Sequence, residues 1–145
     1  MATSSAPAAR DSDLVLFHPV LPLTGRIMFT LIFFLSGVTH FTDLATYAAL
    51  MPAAIPWRPF WVAISGVVEL AGAALLVTDT YPRLGAWLLV LFLIPVTATV
   101  HGVAMLVAPD PTMRRIQVSF FLKGVAMTGA ALVMTQYGIA SRKDG

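Results

Sequence analysis

Residues Phe60–Thr78 read FWVAISGVVELAGAALLVT, a run in which every residue is apolar, small or hydroxylic except Glu69. About 20 such residues carry a helix across the hydrocarbon core of a bilayer. A carboxylate near the middle of such a helix costs roughly 2.5–3.5 kcal/mol on insertion scales. A chain keeps one there only where something offsets that cost. Three further oily runs flank this one, and each holds one ionisable group: His40, His101 and Lys123. The sequence therefore predicts an all-α protein, a membrane four-helix bundle with short loops, built around these groups.

Composition agrees. Of 145 residues 58% are hydrophobic and 11% charged. A soluble domain averages about 25% charged residues, so so few charges cannot cover a water-facing surface. The length suits one domain, and four crossings of about 20 residues use most of it. There is no cysteine, which removes disulfides, thiol catalysis, thiolate-held iron–sulfur clusters and cysteine zinc sites. A net charge of +2, with no basic aromatic cluster, argues against nucleic acid as a partner.

Outward from Glu69, the chain divides into three parts. Residues 1–20 are polar and Ala/Ser-rich, a composition that predicts disorder. Residues 21–138 form the four-helix transmembrane domain, and 139–145 a polar tail. The expected spans are Leu21 to about Phe41, Phe60–Thr78, Leu84–Val107 and Ile116–Tyr137. Arg26, about one turn inside the first, reads as a snorkelling interface anchor. A short interfacial helix is expected at Leu44–Met51, before Pro52, Pro56 and Pro59. Pro95 inside the third span cannot donate to the helix ladder and predicts a kink that turns His101 inward. Residues 108–115, with Pro109, Asp110 and Pro111, read as a turn.

An even number of spans puts both termini on one side. Arg10, Arg83, Arg142 and Lys143, with Arg26, lie on that side, against Arg58, Arg114 and Arg115 on the other. The small excess favours cytoplasmic termini.

Ser36, Thr39, His40 and Asp43 fall at i, i+3, i+4 and i+7 and share one helix face. Ser65 lies one turn before Glu69. Counted from the expected helix ends, His40, Glu69, His101 and Lys123 lie within roughly 10 Å of depth, in the half away from the termini. Buried charges are normally paired, which predicts Glu69 with Lys123, and the histidines and Asp43 nearer the surface. His40, Asp43, Glu69, His101 and Lys123 are the candidates for ligand binding or proton handling; no catalytic residue is assigned. One reading makes this layer structural, an ion pair that fixes register. The other makes it a site for a polar head group, a quinone or a proton, open to the non-cytoplasmic side. A metal is not expected, because Lys123 would repel it and the histidine spacing matches no ligand motif.

The stretches GRIMFTLIFFLSGVTHF (25–41), GVVELAGAALLV (66–77) and FFLKGVAMTGAAL (120–132) resemble the DoxX-like family of small four-helix membrane proteins. The matching elements are Gly25–Arg26, Ser36–Gly37, Glu69–Leu70 and Gly124, over about Gly25 to Val133. Many relatives carry lysine where this chain has His40. The resemblance implies a four-helix bundle in the bacterial inner membrane, associated with quinone-linked redox systems. It leads to the expectation of a quinone-associated subunit or accessory, with a membrane oxidoreductase or further copies of itself as partners. The alternatives are a scaffold or assembly factor with a purely structural polar layer, and a small proton-coupled carrier.

Overall fold

A computed structural model of the protein describes residues 20–136. The expected disordered segment, apart from Val20, the polar tail and the expected end of the last span at Tyr137 lie outside the described residues. Helix α1 is Val20–Thr42, α2 Leu44–Leu50, α3 Arg58–Val77, α4 Pro82–Val96, α5 Val103–Val107 and α6 Pro111–Met134. A π-helical segment, Thr97–Gly102, joins α4 to α5, so Pro82–Val107 is one continuous rod. Four helices are long and apolar enough to cross a membrane: α1, α3, the α4–α5 rod and α6. Their outer faces carry large apolar side chains, such as Met28, Leu91 and Leu122, exposed as lipid contact requires.

The last span begins earlier than the residue pattern suggested. Asp110 caps it, its carboxylate accepting from the Met113 backbone N–H at 2.9 Å, and Pro111 takes the first helical position. Proline there loses no hydrogen bond, because the first N–H groups of a helix have no partner within it. The expected turn at 108–115 is thus mostly helix, and Lys123 lies near the middle of its span rather than toward one end.

Neighbours in sequence are neighbours in space: α1 packs on α3, α3 on α4, and α4 with its π segment on α6. Small residues set these seams. A Cβ on Gly66 would lie 3.1 Å from the Gly37 carbonyl, and one on Gly85 only 2.6 Å from the Gly72 carbonyl. Only glycine lets the backbones come this close, and close approach supplies the dispersion that holds helices together in lipid. No comparable contact joins α1 to α6.

The packed core fills one half of the bundle. Phe33, Leu76, Leu89, Val90 and Ala131 are buried there, with Phe29, Phe92 and Met134 against them. This is the end where α1 starts and α6 finishes. Two polar clamps tie it: Arg26 pairs with Asp79 of the α3–α4 turn, and the Arg83 Nε donates to the Thr135 carbonyl at 3.1 Å. Asp79 adopts a left-handed φ of 60°, which aspartate tolerates in a tight turn. Arg26 is therefore engaged across two helices, its side chain 12% exposed, rather than extended along lipid.

Candidate functional site

The other half of the bundle is hollow. A cavity of about 800 Å³ lies among α1, α3, the α4–α5 rod and α6. Apolar side chains make most of its wall, including Phe33, Val62, Phe92 and Met127. Its polar lining is Ser36, His40, Tyr47, Ser65, Glu69, Thr97, Thr99, His101 and Lys123. Residues of α2 and the following loop, Tyr47, Leu50, Met51 and Ile55, roof the end away from the packed core. The chamber is not sealed: Ile32 of α1 is 51% exposed and Phe120 of α6 42%.

Glu69 and His40 are buried, at 1% and 6% exposure. His40 presses against Gly66, where a Cβ would come within 2.9 Å of the histidine Cβ. The glycine seam thus delivers the imidazole to α3. Its Nδ1 stands 3.0 Å from Glu69 Oε2 and 3.1 Å from Ser65 Oγ. Ser65 donates its own proton to the Val62 carbonyl at 2.8 Å. A carboxylate oxygen and a hydroxyl with its proton engaged both require an N–H at Nδ1. That N–H points to Ser65. Glu69 Oε2 lies beside it at ion-pair distance but receives no directed hydrogen bond. A buried carboxylate oxygen without a donor is costly, and it has room for a donor from a ligand or water.

Helix α2 completes this wall. The Tyr47 ring meets the His40 ring edge-on, with centroids 4.3 Å apart. Thr39 donates to the Ser36 carbonyl at 2.8 Å, so Tyr47 must be the donor in its 2.7 Å bond to Thr39 Oγ1. Tyr47 and Ser65 were not among the residues singled out from sequence. Ser65 was detectable, one turn before Glu69 on the same face. Tyr47 was not, because its place depends on how α2 folds back over the end of α1.

The opposite wall holds His101 and Lys123. His101 stacks at a tilt on Phe120, centroids 5.5 Å apart, with Nδ1 3.5 Å from Gln117 Oε1. Lys123 Nζ lies 5.1 Å from the centre of the same Phe120 ring. The expected pairing of Glu69 with Lys123 is corrected here. Among the described residues the partner of Glu69 is His40, and no carboxylate lies within 4.0 Å of Lys123. The cation–π contact supplies about 0.5–2 kcal/mol, against an insertion cost of roughly 2.5–3.5 kcal/mol for a mid-span lysine. Phe120 thus offsets only part of it.

The structure brings together four of the five candidates, His40, Glu69, His101 and Lys123. Asp43 stands apart, exposed at the α1–α2 junction and outside the cavity lining. Among the described residues no three His, Asp or Glu side chains are grouped as metal ligands.

Residues 29–135 match the family described as a domain of unknown function (DUF8561). No curated protein and no solved structure matches the chain.

Proposed function

We propose, for a chain that belongs to the DUF8561 family and has four helices fit to span a bilayer, that the cavity binds a small apolar molecule with a polar head group taken from the membrane. One observation carries this reading: an apolar chamber of about 800 Å³ whose wall includes the buried Glu69, with an oxygen that no protein group donates to. Small-molecule sites typically measure about 300–1,000 Å³, apolar with a few convergent polar groups. The head group class we favour is a quinone, in keeping with the resemblance to the DoxX-like family. Reduced to the quinol, such a head group has a hydroxyl to donate to Glu69 Oε2. His40, on the same carboxylate, is placed to hold or return a proton. Without cysteine, the chain has no thiolates for an electron-carrying iron–sulfur cluster. Its role is then that of an accessory to a membrane oxidoreductase, in the bacterial inner membrane.

Trp61 lines the cavity and reports on it. Titrating the purified protein with a short-chain ubiquinone analogue should quench tryptophan emission saturably. Glu69→Gln should weaken binding by about tenfold, the scale of one charge-assisted hydrogen bond. Trp61→Phe should remove most of the quench. Quenching that rises linearly without saturation, or that ignores both substitutions, would reject the reading.

A further inference from the structure

We infer that Lys123 and His101 form a second, anion-accepting subsite in the cavity, and that it takes a single-chain amphiphile with a carboxylate head. The inference rests on the cavity being a ligand site but not on the ligand being a quinone. Lys123 lies near the middle of α6, too deep for its stem to reach either membrane surface. Its ammonium has no carboxylate within 4.0 Å among the described residues. The one carboxylate lining the chamber, Glu69, is occupied by His40 on the opposite wall. Phe120 lies against both the Lys123 ammonium and the His101 imidazole, so one ring holds the two donors on the same side of the chamber. A cation left unpaired in a low-dielectric chamber favours an anion far more strongly than it would in water. A single lysine offers one point charge, without the fork by which arginine grips a phosphate in two places. That matches a monovalent carboxylate. The surrounding apolar wall suits the chain behind it.

The test uses cis-parinaric acid, a fluorescent fatty acid, and its methyl ester on the purified full-length protein in detergent micelles. Both have the same chain, and only the acid is charged. The acid should bind saturably and at least about tenfold tighter than the ester. Lys123→Met should abolish that preference, Lys123→Arg should retain most of it, and Glu69→Gln should leave it in place. Size-exclusion chromatography of each variant checks that it is folded, and the acid-against-ester comparison on the unmodified protein needs no variant. Equal affinity for acid and ester, or a preference that survives in Lys123→Met, would overturn the subsite. If the quinone analogue binds and the acid does not, the subsite fails while the cavity stands. If neither acid, ester nor quinone binds, both readings fail together.

Discussion

His40 and Glu69 show how one contact settles what spacing alone leaves open. Spacing placed both on inward faces, yet assigned Glu69 to Lys123, because depth was counted from an α6 beginning at Ile116. With α6 beginning at Pro111, lysine and carboxylate occupy opposite walls, and the glycine seam brings the imidazole within 3.0 Å of Glu69. Removing one member of a buried pair strands the other, at about 3–5 kcal/mol in soluble proteins. His40→Ala and Glu69→Gln should therefore each lower thermal stability in detergent, and His40→Ala with Glu69→Gln should recover part of the summed loss. The Gln variant keeps the side chain's shape and removes its charge, so the recovery isolates the electrostatic part. Simple additivity of the two losses would reject the pairing, since residues that do not interact add within about 0.3–0.5 kcal/mol. The four cavity-lining candidates were legible as ionisable groups that lipid would not tolerate. Their partners were not, because a pairing depends on helix ends and rotations that no local pattern encodes.

At the level of the element, the third span carries the most information. Pro95 predicted a disturbance, and it appears as the π-helical segment Thr97–Gly102 immediately after it. The Pro95 carbonyl is not idle, since it accepts the Thr99 hydroxyl at 2.7 Å. A π segment amounts to one extra residue inserted in an α-helix, and such bulges gather at functional sites. Here it contains Thr97, which packs against Gly124 of α6, and His101, which lines the cavity. If the segment is one residue in excess, deleting the exposed Ala98 should return the rod to continuous α-helix with both flanking helices still seated. The melting temperature should then change by no more than about 4 °C, the shift of roughly 1 kcal/mol in a domain this long. Deleting Leu91 within α4 is the contrast. With no surplus to absorb it, the loss rotates one half of the rod by about 100° against the other and should leave no folded protein. Equal damage from the two deletions would show that the segment is not a removable insertion. The short helix α2 was also legible, as an apolar run of about two turns before three prolines. Its function as a roof was not, because that depends on tertiary contact alone.

For the whole molecule, the arrangement of charge at the two ends bears on orientation. The Arg26–Asp79 and Arg83–Thr135 clamps bring the start of α1, the α3–α4 turn and the end of α6 to one end. The loop before α3 and the turn before α6 lie at the other. Arg58, Arg114 and Arg115 belong to that second end, while Arg26 and Arg83, with Arg10, Arg142 and Lys143 in the flanking sequence, belong to the first. Orientation follows the count of Lys and Arg near the span ends rather than net charge, so the pairing of Arg26 with Asp79 does not cancel its vote. The first end should accordingly face the cytoplasm, and the roofed end of the cavity the opposite side. The chain has no cysteine, so a single introduced one is a unique label. Thr80, Ala54 and Thr112 are all exposed and none lines the cavity. In intact cells a membrane-impermeant maleimide should label Ala54→Cys and Thr112→Cys, and should reach Thr80→Cys only after permeabilisation. The reverse pattern would invert the orientation. Equal labelling of Thr80→Cys and Thr112→Cys in intact cells would mean that the rod between them does not cross the bilayer. In that case the insertion cost that singles out Glu69 and Lys123 would no longer apply.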